Sequence, residues 1–421
     1  VLRVSRVKLS ERMAAMTDAV AGLVLANNYH QTLALSLAAR RGLSDLGHQA
    51  RFMTALEARG LLDRAVETLP GEQALAERTA RGEPLTRAEL GVLLAYAKIV
   101  LFADLTESDL PDDPHFAADL LGYFPKRMAK KYRDEILAHR LRREIVATLL
   151  ANDAINRGGP SFISRLQDVT ACSPAEAVGA FAVVRDGFDL GATFAEIDAL
   201  DTKVDGQQQL RFYQAVGRLI HTATAWMLKN GDGSQSVGAR IAELKKARQT
   251  LEPRLADLLP EFMQSRLEER CHDFRIAGAP DALAERLAYF GIAEIVPDID
   301  LVAQRAGADF DAAARVYLGL TETFRVARIE DAARGVAPVD YYDGLALSRA
   351  IDMIGAARRG MAVAVLAAHG SAADPVAEWI AAGGARVART RDRLQALTEA
   401  GDISLSRLTV AAGMMADLSD L

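Results

Sequence analysis

The spacing of apolar residues along the chain is the feature that most restricts its fold. Apolar side chains recur three and four residues apart, which places them on one face of a helix, and few segments alternate apolar and polar residues as a β-strand does. Alanine and leucine are abundant, and only 13 residues are proline. We therefore expect an all-α protein with little or no sheet.

The length of the chain predicts more than one core. Because 421 residues are too many for a single ordinary core, we expect irregular multi-helix bundles in two or three lobes. Polar breaks near residues 109–114 and 201–206 predict an N-terminal helical lobe (1–112), a central helical lobe (113–204) and a C-terminal helical bundle (205–421). Ordinary helix and loop lengths predict about twelve to sixteen helices.

Residues 139–162 form the most informative segment. They predict a long helix that stops at Gly158-Gly159-Pro160, because glycine and proline interrupt helices. Asn152 and Asn156 lie one turn apart on or beside the predicted apolar face. A buried amide without partners costs about 1–3 kcal/mol, so we expect both side chains to bond to neighbouring helices. The residues predicted to share that face are Leu141, Ile145, Thr148, Leu149, Asn152 and Ile155.

Capping residues predict where several helices begin and end. Thr86 and Glu89 have the spacing of a capping box, and Ser173-Pro174-Ala175-Glu176 combines an N-cap, a proline at N1 and a glutamate at N3. Gly60 is well placed to end a helix that begins at Leu46. Periodicity predicts further helices over residues 9–40, 126–157, 205–230, 340–365 and 375–400.

Composition excludes several classes of partner. The net charge of −6 does not indicate the excess of basic residues that is typical of a nucleic-acid-binding protein. No apolar run is long enough to span a membrane. The two cysteines have no nearby partner in sequence, which favours a reduced, cytoplasmic setting over a disulfide framework. The chain begins Val-Leu-Arg-Val without methionine, so we expect a piece of a longer protein.

No motif in the sequence predicts an active site. It has no G-x-x-x-x-G-K-[ST] loop and no G-x-G-x-x-G after a predicted strand, and its seven histidines lack metal-ligand spacing. Cys271, His272 and Asp273 are adjacent, but neighbours on a helix point in different directions. Cys172 precedes a helix start, where a thiolate is modestly favoured, yet it has no companion base. We therefore predict no catalytic, cofactor-binding or metal-binding residue.

A charged stretch near residues 325–343 allows two interpretations. It combines arginines and aspartates with Tyr341-Tyr342, a composition typical of an interface between lobes or subunits. It is equally typical of a surface ion network of little energetic weight. The charged residues of the stretch are Arg325, Arg328, Asp331, Arg334, Asp340 and Asp343.

Several segments, in order, resemble the C-terminal region of the large bacterial NAD-specific glutamate dehydrogenases. They include HRLRREI running on to NRGG within residues 139–159, MTDAVAGLVLANNYHQTLALS at 16–36 and LTRAELGVLLAYAKI at 85–99. RGLLDRAVETLP (59–70), GYFPKRM (122–128), ATAWMLKN (223–230) and the block 324–361 match the same family. The resemblance implies that the catalytic domain precedes this region, so no catalytic residue is transferred to lysines such as Lys98, Lys130, Lys203 or Lys229.

Two hypotheses from different classes follow. In the first, the chain is the non-catalytic C-terminal region of an NAD-dependent glutamate dehydrogenase, which binds no cofactor itself and supports the catalytic domain of the same polypeptide, the assembly of a homo-oligomer or its regulation. In the second, it is an independent all-helical interaction module without an enzymatic parent. A glycine-rich dehydrogenase domain fused in frame upstream would exclude the second hypothesis.

Overall fold

The protein is built from helices joined by short turns. The computed structural model describes residues 10–11, 13–338, 340–399, 401 and 403–419. Over these ranges it contains no β-strand, which confirms the all-α prediction. The predicted start of the first helix at Leu9 lies outside the described residues. None of the helices in the described ranges is both long enough and apolar enough to cross a bilayer.

The chain forms two compact units that are each discontinuous in sequence. Unit 1 comprises Val1–Gly191 and Ile220–Ile241, and unit 2 comprises Ala192–Leu219 and Ala242–Leu421. The three predicted lobes have different boundaries and stay a prediction.

In the described residues, ten helices lie before residue 191, where the first segment of unit 1 ends. Three further helices each span a position at which the chain changes from one unit to the other. Those of unit 1 are α1 (Thr17–Arg41), α2 (Leu46–Ala58), α3 (Glu72–Arg81), α4 (Arg87–Thr106), α5 (Ala117–Gly122), α6 (Lys126–Lys131), α7 (Arg133–Leu137), α8 (Arg142–Gly158), α9 (Phe162–Thr170) and α10 (Pro174–Gly187). Those that contain a boundary are α11 (Leu190–Asp198), α12 (Gly206–Asn230) and α13 (Val237–Leu251).

The remaining helices belong to unit 2. They are α14 (Leu255–Leu258), α15 (Glu261–Ile276), α16 (Asp281–Tyr289), α17 (Ile295–Ala306), α18 (Phe310–Thr323), α19 (Val326–Ala333), α20 (Tyr341–His369), α21 (Pro375–Glu399) and α22 (Leu405–Ser419). Short 3₁₀ helices cover Gly42–Asp45, Leu110–Asp112, Pro114–Phe116 and Glu252–Arg254.

Each unit has its own apolar interior. In unit 1, α4 packs against α8, and fully buried Leu93 and Leu150 belong to these two helices. In unit 2, α20 packs against α17, α18 and α22. A Cβ atom at Gly360 of α20 would lie 3.3 Å from Ser419 Cβ, so the missing side chain allows α22 to approach closely.

The capping predictions are confirmed. Thr86 and Glu89 exchange both hydrogen bonds of a capping box at the start of α4, as do Ser173 and Glu176 at the start of α10. Helix α2 covers Leu46–Ala58, and Gly60 follows it with a φ of +68°. These boundaries were predictable because a cap depends on a few neighbouring residues.

The predicted helix over residues 126–157 is wrong, because the chain forms α6, α7 and α8 there. Tyr132 leaves the helical region at φ −123° and ψ 38°. No residue of α6 is buried, and α7 buries only Ile136. Most of the stability of a helix in a protein comes from packing an apolar face, and this charged run has little to pack. Breaks of this kind give the described residues more helices than the expected twelve to sixteen.

The predicted apolar face of α8 is wrong except at Ile155, which is buried. Leu141 precedes the helix and is exposed, Thr148 is exposed, and Ile145, Leu149 and Asn152 are half-buried. The other residues buried along the first four turns are Val146, Ala147, Leu150, Ala151 and Ala154. Much of the buried face consists of small alanines. The prediction is wrong because it gave more weight to the larger leucines on the neighbouring face.

The predicted helix over residues 375–400 bends at a glycine. Gly384 has a φ of +56° and a ψ of −142° inside α21, so two helical segments meet there.

Candidate functional site

A groove of about 380 Å³ lies between α1 and α4 in unit 1. Arg87 Nη1 donates a hydrogen bond to Ser36 Oγ at 3.2 Å and so attaches the start of α4 to α1. Gly91 of α4 faces Leu35 of α1. A Cβ atom at Gly91 would lie 4.0 Å from Leu35 Cδ2. The groove is lined by Asn28, Gln31, Thr32 and Leu35 of α1 and by Gly91, Leu94, Ala95, Lys98 and Ile99 of α4.

Lys98 gives the groove its chemical character. Its side chain is half-buried, and burial lowers its pKa from 10.5 to about 8. Among the described residues, no carboxylate pairs with it. Lysine is almost never buried without a partner, and perturbed titratable groups in a cleft mark functional-site candidates. With the amides of Asn28 and Gln31 beside it, Lys98 can bind a carboxylate from outside the chain.

The sequence alone does not mark Lys98 as a site residue. No catalytic motif surrounds this lysine, which is typical of an ordinary helical residue. A weaker signal was present: positions 94, 95, 101 and 102 hold no acidic residue, so no partner at three- or four-residue spacing can pair with Lys98.

A second groove of about 220 Å³ in unit 1 is lined mainly by apolar side chains of α2, α4 and α9. Its charged residues, Arg59 and Asp104, pair with each other at 3.0 Å. It therefore lacks an unbalanced charge and is a weaker candidate.

The Gly158-Gly159 segment is a structural turn, as predicted. Arg41 Nη1 donates to the carbonyl oxygen of Gly158 at 2.6 Å, and His221 Nε2 lies 2.9 Å from the same oxygen. Burial and the charges of Arg41 and Arg165 hold the pKa of His221 well below its usual value. A neutral imidazole must therefore carry its hydrogen on Nε2 to donate to this carbonyl.

The asparagines of α8 depart from expectation. Asn156 is buried, but its Oδ1 atom has no hydrogen-bond partner within the described residues, and Asn152 is only half-buried. The prediction that neighbouring helices satisfy Asn156 is wrong for this oxygen. The packing around the Gly158 turn, rather than the amide, holds the end of α8.

The two cysteines are not activated. Both are free, and burial raises the pKa of each thiol. For Cys172 this reverses the expected preference for a thiolate near the start of α10, because desolvation outweighs the helix terminus. Across the described ranges, no three His, Cys, Asp or Glu side chains are grouped so as to hold a metal ion.

The charged stretch separates into unrelated parts. Arg325 pairs with Glu322, Arg328 lies 4.3 Å from the Phe262 ring centroid, and Asp340 caps α20 by accepting from Asp343 N. Asp331 and Arg334 join arginines of α15 instead. The sequence does not predict that grouping, because Arg266 and Arg270 lie more than 60 residues before Asp331.

Comparison with known proteins gives a consistent result. A family model described as "Glutamate dehydrogenase, C-terminal" matches residues 82–417. The chain is 41% identical over 276 residues to the NAD-specific glutamate dehydrogenase of Pseudomonas aeruginosa, which covers 66% of this chain and 17% of that protein. Identity to the enzyme of the same name from Halomonas elongata is 38% over 299 residues, covering 68% of this chain and 18% of that protein.

A third relative matches almost the whole chain. The NAD-specific glutamate dehydrogenase of Mycobacterium tuberculosis is 30% identical over 412 residues, which is 96% of this chain and 25% of that protein. The chain thus spans a quarter or less of the length of these relatives. Because the family model covers well over half of the sequence, the chain belongs to the glutamate dehydrogenase family, in the part that this C-terminal model describes.

Proposed function

We propose that this chain is the helical C-terminal region of a large NAD-dependent glutamate dehydrogenase and supports the catalytic domain of the same polypeptide without supplying reacting groups. The parent reaction converts L-glutamate, NAD and water into 2-oxoglutarate, ammonia and NADH. The family match and the 17–25% of each relative's length that is covered support this proposal. NAD is then the cofactor of the whole enzyme, and this chain binds none.

The packing role depends on an apolar stripe on the first half of α1. Val20, Leu23 and Val24 lie at three- and four-residue spacings and are between 43 and 59% exposed. Met13, also exposed, continues the same spacing. A contiguous exposed apolar face usually marks an interaction surface, because burying each such side chain stabilises a complex by about 1.5–3 kcal/mol.

The Lys98 groove extends this stripe along α1. Asn28 lies four residues after Val24, so the groove begins one turn beyond the stripe. The occupant that fits both is a helix with an apolar face and an acidic side chain that reaches Lys98. We assign it to the catalytic part of the polypeptide, which the proposed function places outside this chain.

The stripe can be tested by adding charge to it. We expect V20D/V24D, made in the complete reading frame that contains this chain, to reduce glutamate-dependent NAD reduction at least tenfold, because two carboxylates would be desolvated in the contact. The matched control is V66D, since Val66 is 75% exposed on unit 1 outside the stripe. In the isolated 421-residue chain, both variants should unfold at the wild-type temperature.

Full activity of V20D/V24D would contradict the proposal. We also propose that the complete enzyme is a homo-oligomer, and size-exclusion chromatography of the same samples tests this. If V20D/V24D dissociates the enzyme while each subunit stays active, the stripe lies between subunits instead.

The alternative, an independent interaction module, requires that no dehydrogenase domain be encoded in frame with this chain. The cytoplasmic location stays a prediction.

A further inference from the structure

Three arginines of unit 2 converge on one carboxylate, and a fourth lies near them. Arg266 Nη2 lies 3.0 Å from Asp331 Oδ2, Arg334 Nη1 lies 3.0 Å from Asp331 Oδ1, and Arg270 Nη2 lies 3.4 Å from the same Oδ1. Arg218 of α12 is close enough for its charge to act on Arg270. We call Arg218, Arg266, Arg270 and Arg334 the arginine cluster.

Positive charge exceeds negative charge in this cluster. The four guanidinium groups are opposed by Asp331, by Glu294 near Arg218, and by the exposed Glu269, which pairs with Arg266 at 2.6 Å. Among these seven described side chains, the positive charges exceed the negative ones by one even when Glu269 is counted. Burial and the neighbouring charge of Arg334 lower the pKa of Arg270 to about 10, so the cluster is electrostatically strained.

The backbone next to the cluster leaves room for one of the arginines. A Cβ atom at position 291 would lie 1.9 Å from Arg270 Nη1, so the absence of a side chain at Gly291 lets this guanidinium lie against the chain. Arg266 Nε is shielded from solvent and makes no hydrogen bond among the described residues. The side chains of Arg266 and Arg334 are each 40% exposed, which leaves the cluster open to a solute.

We propose that the arginine cluster binds a small oxyanion, of the phosphate or dicarboxylate class. The planar guanidinium group presents paired N–H donors that match two oxygens of such an anion. Asp331 occupies part of this donor set, and the ligand neutralises the remaining positive charge. The site lies within unit 2, so it does not depend on the docking of α1.

The test is calorimetric titration of the 421-residue chain with inorganic phosphate and, separately, with succinate in low-chloride buffer. We expect saturable binding of at least one anion, and the stronger of the two identifies the ligand class. Arg334→Gln should weaken binding at least tenfold. Asp331→Asn should tighten it several-fold, because it removes the internal carboxylate that competes for the donors.

Arg275→Gln is the matched control, since Arg275 lies on the same helix but pairs with Asp281 and Glu285. It should leave the affinity unchanged. Asp331→Asn should also lower the thermal unfolding temperature, and phosphate or succinate should restore it. Absence of saturable binding by the wild type, or an Asp331→Asn variant that is destabilised without tighter binding or rescue, would show that the cluster is only a structural ion network.

Discussion

Lys98 has a charge that no described residue of this chain neutralises. Its pKa is about 8 in the folded chain against an ordinary value of 10.5, so the folded state loses the proton at lower pH than the unfolded state. The unfolded state therefore binds more protons between about pH 8 and 10.5, and the free energy of unfolding rises with pH across that interval. Below pH 8 the lysine is charged in both states, and its burial reduces stability in full.

Replacing Lys98 with methionine should stabilise the isolated chain. At pH 7 we expect K98M to increase the free energy of unfolding by about 1–3 kcal/mol, since the side chain keeps its length and no longer requires desolvation of a charge. The advantage should shrink as pH rises from 8 to 10. Urea unfolding at pH 7, 8.5 and 10 measures this.

Lys126→Met is the matched control, because Lys126 is exposed on α6 and should show a pH-independent effect close to zero. An advantage of K98M that stays constant from pH 7 to 10 would mean that Lys98 titrates normally and that packing alone explains the gain.

The end of α8 depends on one glycine and on distant side chains. Gly159 has a φ of +97° and a ψ of 170°, a conformation open essentially to glycine alone. A Cβ there would lie 2.7 Å from Arg41 Nη1, the atom that donates to the Gly158 carbonyl. The turn is thus fixed by backbone conformation and by an arginine more than a hundred residues away.

Gly159→Ala should therefore be costly. We expect it to lower the free energy of unfolding by about 2–4 kcal/mol, because backbone strain adds to the displacement of Arg41. Gly82→Ala, at an ordinary left-handed helix end with φ 73° and ψ 26°, should cost only about 1 kcal/mol. Chemical denaturation of both variants gives the comparison, and equal losses would contradict the role assigned to Arg41.

Sequence predicted the local parts of these elements and not the long-range ones. Thr86, Ser173 and Gly158-Gly159 were identified correctly because caps and stops depend on residues next to each other. The buried face of α8 and the breaks at residues 132–141 depend on what the helices pack against, which periodicity does not record. The Lys98 groove and the arginine cluster needed the tertiary fold, since each joins helices that are far apart in sequence.

At the scale of the whole molecule, the chain belongs to the C-terminal part of the glutamate dehydrogenase family, and we propose that it does not react by itself. The most unusual surface in unit 1 is an uncovered helix face with an unbalanced lysine beside it, and neither feature transfers a hydride. Under the proposed function, both face a partner with complementary apolar and acidic groups. This combination favours a supporting role within a longer polypeptide.

The isolated chain should accordingly show no glutamate-dependent reduction of NAD. A spectrophotometric assay for NADH with purified 421-residue chain, glutamate and NAD is expected to stay at the buffer baseline, and calorimetry with NAD should give no saturable heat. The complete enzyme assayed in parallel verifies the reagents. Turnover by the pure isolated chain would overturn the proposed function.

The discontinuous make-up of unit 1 affects the order in which the protein can form during synthesis. His221 lies in the Ile220–Ile241 segment, which belongs with residues that are translated much earlier. Until that segment leaves the ribosome, the Gly158 carbonyl lacks one of its two partners and Phe162 lacks the imidazole that packs 4.9 Å from its ring. These contacts of unit 1 therefore cannot be complete when residue 191 is made, and part of unit 2 is translated before they can form.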